Sequence, residues 1–177
     1  MANYKIVFTG PVGAGKTTAI SSISDSDIIK TDERASDMAG DLKPTTTVAM
    51  DYGVLKLSEN ENIHLFGTPG QQRFDFMWDI LTEGGLGLVL LLDNTREHPF
   101  KDMKFFLDSF AEFIRNTSLV VGVTRMDLSR NPGIGDHARQ LQNFGFKAPV
   151  FEVDARQQGD VVNLTRALLY SMDPGIA

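Results

Sequence analysis

Gly10-Pro11-Val12-Gly13-Ala14-Gly15-Lys16-Thr17 decides how this chain folds. Its spacing, GxxxxGK[ST], is that of the phosphate-binding P-loop, a motif that has physical content only between a strand and a helix. Both flanks meet that requirement. Tyr4 to Thr9 alternates and then runs apolar through Ile6, Val7 and Phe8, which predicts a strand, while Thr17 to Ile23, with Ile20 and Ile23, predicts a helix. The glycines let successive backbone N–H groups turn inward around phosphate oxygens, and the helix N-terminus adds its positive end. Lys16 supplies a mobile point charge and the Thr17 hydroxyl can reach Mg²⁺.

Outward from that loop, the bulk properties narrow the class. The chain has 177 residues, 42% of them hydrophobic, which suits one globular domain with a full-sized core. A formal net charge of −6 and the absence of a compact basic run argue against a nucleic-acid surface, because affinity for a polyanion comes largely from clustered Lys and Arg. There are no cysteines, which excludes disulfides, thiolate metal sites, a Cys nucleophile, prenylation and palmitoylation together. The longest apolar run, Leu86 to Leu92, is too short to span a bilayer, and the N-terminus resembles neither a signal peptide nor a myristoylation start. The expected setting is cytoplasmic, with any membrane contact borrowed from a partner.

Downstream of the first helix, Thr31 to Thr47 lacks a sustained apolar period and reads as a long loop near the phosphates. Val48 to Leu57 and Asn62 to Phe66, joined by a turn at Ser58 to Glu61, read as a hairpin that Gly67-Thr68-Pro69-Gly70 ends. Gln71 to Leu81 carries Phe74, Met77, Trp78 and Leu81 at helical spacing. Leu86 to Leu92 predicts a strand buried on both faces, ended by Asp93-Asn94-Thr95. A strongly apolar helix over Phe100 to Ile114 follows, then a strand at Leu119 to Val123, a helix at Pro132 to Phe144, a strand at Val150 to Val153 and a helix at Val161 to Met172. The order predicts a three-layer α/β fold, a mainly parallel sheet with one antiparallel strand from the hairpin and ligands at the carboxyl ends of its strands. The P-loop, Gly67 to Gln71, Asp93, Thr124 to Asp127 and Asp154 to Arg156 all follow strand ends and should meet at one rim.

In that order the chain resembles the Ras-like small GTPases over nearly its full length. Gly67-Thr68-Pro69-Gly70-Gln71-Gln72-Arg73-Phe74 is similar to the switch II signature DTAGQERF of the Rab group. Thr124-Arg125-Met126-Asp127 stands where the family carries NKxD, and Asp154-Ala155-Arg156 where it carries SAK. The bacterial branch, including the MglA-type polarity and gliding GTPases, looks closest, because its members also tend to lack the acidic residue that opens DxxG.

The resemblance implies GTP/GDP and Mg²⁺ as cofactors. It places the nucleotide on Gly10, Val12, Gly13, Ala14, Gly15, Lys16, Thr17 and Thr18 of the P-loop, on Thr47 and Gly70, and on Thr124, Arg125, Asp127, Ala155 and Arg156 around the base. Asp127 can accept hydrogen bonds from guanine N1–H and the 2-amino group, both absent from adenine. Thr124 can bond the P-loop, the Arg125 stem can lie over the base, and Ala155 would offer its N–H to guanine O6. Thr17 and Thr47 are the implied protein ligands of Mg²⁺, with Thr46 as the alternative to Thr47. Gly67 stands where the family has its metal-holding aspartate, so either binding is weaker or another carboxylate serves; Asp93 is one candidate, although an ordinary turn at Asp93-Asn94-Thr95 is the simpler reading.

For hydrolysis the family pattern makes Gln71 the water-positioning residue, with Gln72 as the alternative, and gives Lys16 the β- and γ-phosphates. A further positive charge could come from a partner, Arg34 or Arg73. Val12 would crowd the γ-phosphate region, so slow unassisted turnover is expected, raised by a Roadblock/LC7-type activator, with an effector bound through two switch segments, Thr31 to Thr47 and Gly67 to Gly85. Trp78 and its neighbours serve either core packing or that partner surface, and His64, His98 and His137 carry no expected role. A nucleotide-holding scaffold without turnover and a P-loop ATPase or kinase remain as other functions for the same motifs.

Overall fold

A computed structural model describes residues 2–34, 47–70 and 76–172. Seven strands form one sheet in the order β2-β3-β4-β1-β5-β6-β7, comprising β1 (Ala2–Thr9), β2 (Ile29–Arg34), β3 (Thr47–Ser58), β4 (Glu61–Gly67), β5 (Gly87–Asp93), β6 (Ser118–Thr124) and β7 (Val150–Glu152). Only β3 runs against the others, pairing antiparallel with β2 and β4, while β1 is parallel to β4 and β5, and β5 to β6 and β6 to β7 are parallel. The expected mainly parallel α/β sheet with one antiparallel strand is therefore present.

The alternation of the central strands builds two cores. Ile6, Phe8, Val89, Leu91 and Val120 face one side, where α1 (Lys16–Ile23) and α6 (Gln158–Met172) cover them with Ile20, Ile23, Leu164 and Leu168. Val7, Leu88, Leu90, Leu92 and Val121 face the other. There α2 (Phe76–Thr82), α3 (Pro99–Ser109), α4 (Ala111–Asn116) and α5 (Ile134–Asn143) form the cover, with Trp78, Met103, Leu107 and Leu141 buried. Every residue of β5 is buried, which is why its sequence is continuously apolar rather than alternating.

Three sequence expectations need correction. The stretch expected as a loop from Thr31 to Thr47 is strand at both ends, since residues 31–34 complete β2 and Thr47 opens β3. An edge strand is held by its ladder, here Ile29↔Tyr52 through Arg34↔Thr47, and needs no apolar period to form. The helix expected over Phe100 to Ile114 is two helices, broken at Phe110, whose backbone (φ −105°, ψ 14°) leaves the helical region. Phe110 is buried there against the ring of Trp78, with centroids 5.0 Å apart. The helix expected from Pro132 starts at Ile134, after a cis Asn131–Pro132 peptide. Residues 71–75 and 35–46 lie outside the described residues, so Gln71, Gln72, Arg73, Phe74 and Thr46 are not placed. Among the described residues no helix is long and apolar enough to cross a membrane.

Candidate nucleotide-binding site

The carboxyl ends of β1, β5 and β6 put the P-loop, Asp93 and Thr124 at one rim. Gly10 leaves β1 with φ 147°, and a Cβ there would lie 2.1 Å from the Leu91 carbonyl oxygen, so only glycine lets the loop cross β5 this closely. The loop then closes on Lys16. Its ammonium donates to the carbonyls of Gly10 (2.7 Å) and Pro11 (2.8 Å). Burial pushes the Lys16 pKa down to about 8, with the Asp51 carboxylate pulling it up and the Arg96 guanidinium, itself held by Asp102, pushing it down.

Gly70 packs on this loop from the other side. A Cβ at Gly70 would be 2.6 Å from the Val12 nitrogen and 2.8 Å from Lys16 Nζ, so a side chain cannot fit between the two segments. The Gly67 to Gly70 turn is anchored by Thr68 N–H donating to the Phe8 carbonyl (2.9 Å), by the Thr9–Thr68 hydroxyl pair (2.8 Å) and by Trp78 Nε1 donating to the Pro69 carbonyl (3.3 Å). Trp78 is thus a buried packing residue that also holds the turn. Val12 is 56% exposed at the loop tip.

A cavity of about 290 Å³ opens between the P-loop and the two rim loops that follow β6 and β7. Ala14, Gly15 and Thr18 form its P-loop side. Thr124, Arg125 and Asp127 line a second side, and Ala155 and Arg156 a third. Eight of the residues that the sequence assigned to a nucleotide are thereby brought to one cavity. A Cβ on Gly15 would lie 3.1 Å from the Ala155 Cβ, which shows how closely the P-loop and the last rim loop approach. The Thr124 hydroxyl faces two carbonyls, Ala14 at 3.0 Å and Leu92 at 3.1 Å, and so ties the β6 loop to the P-loop as expected.

The β6 loop is fixed from beneath. Arg125 adopts φ 59°, a left-handed conformation that is uncommon for a residue with a side chain. It is held there by an ion pair from Arg125 Nη1 to Asp93 Oδ2 at 2.7 Å. Asp93 Oδ1 accepts from the Thr95 N–H (2.9 Å) and hydroxyl (2.6 Å). Asp93 therefore holds the loop after β6, and the metal role considered for it in the sequence has no support in this geometry. Asn94, next along, donates to the carbonyls of Ser129 (2.6 Å) and Pro132 (3.0 Å), and its Oδ1 accepts from Nε2 of the fully buried His137 at 2.8 Å. Burial depresses the His137 pKa, so the ring is kept neutral. The sequence gives His137 no role and Asn94 only a place in a turn, and a lone asparagine and histidine 43 residues apart give no motif to find.

Asp127 sits exposed at the cavity mouth and, among the described residues, accepts no hydrogen bond, which leaves its carboxylate open toward a ligand. Arg156 pairs with Asp154 through Nε (2.9 Å) and Nη2 (2.8 Å), fixing the last rim loop. On the phosphate side, Thr17 Oγ1 donates to Asp51 Oδ2 at 2.5 Å. Thr47, the implied metal ligand, opens β3 opposite Arg34 in the ladder. Among the described residues no three His, Cys, Asp or Glu side chains gather for a metal ion. The hydroxyl of Thr17 and the carboxylate of Asp51 are hard oxygen donors, the kind that a hard cation such as Mg²⁺ takes.

Comparison with known proteins agrees with this geometry at the level of superfamily. The chain is 34% identical over 92 residues to "Uncharacterized protein MJ1339" of Methanocaldococcus jannaschii, an alignment covering 52% of each chain. It is 25% identical over 112 residues to "Ras and EF-hand domain-containing protein" of Danio rerio, covering 62% of this chain and 15% of that protein. To "Ras-related protein RABD2a" of Arabidopsis thaliana it is 24% identical over 168 residues, covering 94% of this chain and 76% of the plant protein. The chain thus spans about half the length of the archaeal relative and a small part of the fish protein. The two Ras-related proteins support a place in the Ras-like P-loop superfamily. Residues 23–173, most of the chain and a stretch that begins after the P-loop, match the family described as "Conserved hypothetical ATP binding protein", and to that family of P-loop nucleotide-binding proteins the chain belongs.

Proposed function

We propose that this chain is a small GTP-binding protein, a GDP/GTP switch of one cytoplasmic domain with slow intrinsic GTP hydrolysis. The observation that carries this reading is the shared cavity, in which the P-loop meets Thr124, Arg125, Asp127, Ala155 and Arg156, with the Asp127 carboxylate open at its mouth. A carboxylate acceptor there matches the adjacent N1–H and 2-amino donors of guanine, whereas adenine presents an acceptor at N1. The Arg125 stem forms one wall of the base slot while its guanidinium is anchored on Asp93. Lys16, Gly13 and the neighbouring backbone N–H groups take the phosphates, and Gly70 brings its own backbone to the γ-phosphate side. A bound Mg²⁺, held by Thr17 and Thr47, would supply positive charge to the phosphates.

Gln71 follows Gly70 directly and serves in this reading as the residue that orients water. Unassisted hydrolysis is expected on the order of 10⁻⁴ s⁻¹, the range of Ras without its activator. Single-turnover measurement on the purified chain and on Gln71→Ala checks it, with a fall in the variant expected and a fast or unchanged rate counting against the switch. A Roadblock/LC7-type activator, as for MglA-type proteins, and an effector docking on the Gly67 to Gly85 segment complete the proposal. The family description favours a second reading, an ATP-binding protein. Competition of GDP and ADP for the purified chain separates the two: GDP should win by at least about a hundredfold, as for a site that rejects a ligand lacking its hydrogen-bonding groups. Equal binding, or preference for ADP, would overturn the guanine assignment.

A further inference from the structure

We propose that Asp51, on β3, supplies the carboxylate for the divalent cation that this chain lacks at Gly67. The inference rests on the nucleotide-binding reading above and assigns a residue outside the motif that usually provides this group.

Gly67 ends β4 and is the direct cross-strand partner of Asp51 in the antiparallel β3–β4 ladder. A Cβ built on Gly67 would lie 3.1 Å from the Asp51 Cβ and 3.3 Å from Asp51 Oδ2. A side chain from position 67 and the Asp51 carboxylate would therefore claim the same space, and in this chain Asp51 fills it. Its carboxylate is directed to the P-loop rather than to solvent. Oδ2 accepts from the Thr17 hydroxyl at 2.5 Å, Asp51 is buried, and its charge reaches the Lys16 ammonium, whose protonated form it favours.

The other buried carboxylate at this rim is accounted for. Both oxygens of Asp93 are taken by Arg125 and Thr95 at the base end of the site. Asp51 by contrast touches the one P-loop hydroxyl that a phosphate-bound Mg²⁺ requires, and a hard cation prefers such an oxygen pair. The negative charge lost from β4 is thus restored from the neighbouring strand, so the metal-dependent step of nucleotide binding needs no acidic residue in the Gly67 to Gly70 turn. Antiparallel pairing makes the exchange possible, because it places residues of two strands side by side at one rim.

The test reads the gain in GDP affinity on passing from EDTA to saturating Mg²⁺, measured by titration calorimetry on the full chain, with Mn²⁺ binding to the GDP complex followed by electron paramagnetic resonance. In Asp51→Asn that gain should fall by about tenfold or more, the usual effect of removing a group that holds or orients a metal's ligands. The swapped variant Asp51→Gly/Gly67→Asp, which returns the carboxylate from β4 and clears the crowded Cβ, should recover most of it and shows that charge, not folding, is the cause. A gain in Asp51→Asn equal to that of the unmodified chain would overturn the proposal. So would a loss in Asp51→Asn that the swap leaves unrepaired while both variants melt at the unmodified temperature. Failure of the unmodified chain to bind either GDP or ADP, in EDTA or Mg²⁺, would overturn the nucleotide reading itself, and this inference with it.

Discussion

The base end and the phosphate end of the cavity hold their polar groups in different ways. At the base end the supporting groups already have permanent protein partners: Arg125 on Asp93, Asn94 on Ser129, Pro132 and His137, and Arg156 on Asp154. Among the described residues Asp127 accepts no hydrogen bond there, and the proposed function gives its carboxylate to the ligand. At the phosphate end the polar groups are satisfied by each other, Lys16 by the Gly10 and Pro11 carbonyls and Thr17 by Asp51. In the proposed function a base would dock on a preformed surface, whereas phosphate and metal would displace existing hydrogen bonds. Dependence on pH and on cations should therefore be concentrated at the phosphate end.

The largest effect expected on that comparison is at Lys16. Lys16→Ala should weaken GDP binding by about a hundredfold, the upper range of one charge-assisted hydrogen bond, as read by calorimetry. The same residue carries a pH signature. Its pKa lies at about 8 in the free protein and must rise when phosphate oxygens replace carbonyls, so binding takes up a proton above that pH. GDP affinity in EDTA should then be flat below pH 8 and fall above it, with the slope absent in Lys16→Ala. A flat profile to about pH 9 in the unmodified chain would mean that Lys16 stays protonated through this range, and unchanged affinity in Lys16→Ala would mean that it is not the phosphate ligand.

A smaller effect is expected from Asp93→Asn, which unties Arg125 and so tests the rigid end. Arg125 is 47% exposed and solvent screens the pair, so the loss is about 1 kcal/mol rather than the several expected for a fully buried pair. GDP affinity should fall by roughly tenfold through loss of the ordered base slot. The gain from Mg²⁺ should stay as in the unmodified chain. A change in that gain would contradict the division of labour between Asp93 and Asp51.

The smallest effect concerns His137. Its folded pKa is depressed by burial below the ordinary value of 6.5, so the unfolded chain binds the extra proton first as pH falls. The stability its neutral ring contributes is present above that value and is lost progressively below it. Thermal melting between pH 7 and 5 should show this loss, and His137→Gln, which keeps one hydrogen bond to Asn94, should flatten it by a fraction of a kcal/mol to about 1 kcal/mol.

Much of this site could be read from local pattern. The P-loop is a contiguous motif, and strand ends are marked by abrupt changes from apolar runs to polar residues, as at Leu92-Asp93 and Val123-Thr124. That is why the rim was legible before any coordinates. What escaped depends on pairing between distant segments. The edge strand β2 is polar, Asp51 acts through its register with Gly67, and Asn94, in the loop after β5, meets His137 on α5. None of these has a periodicity or spacing, because each is created by tertiary contact. The break at Phe110 is of the same kind, since an unbroken apolar period continues through it. Gln71, which the sequence places at the water, lies outside the described residues.

The guanine assignment itself is most directly tested by changing what Asp127 can accept. Asp127→Asn turns an acceptor pair into an acceptor and a donor, which suits xanthine, where a carbonyl replaces the 2-amino group of guanine. Affinities of the unmodified and variant chains for GDP, XDP and ADP should show GDP falling and XDP rising in the variant, each by at least about a hundredfold, with ADP weak in both. Unchanged GDP binding in Asp127→Asn, or ADP bound as well as GDP by the unmodified chain, would contradict the account.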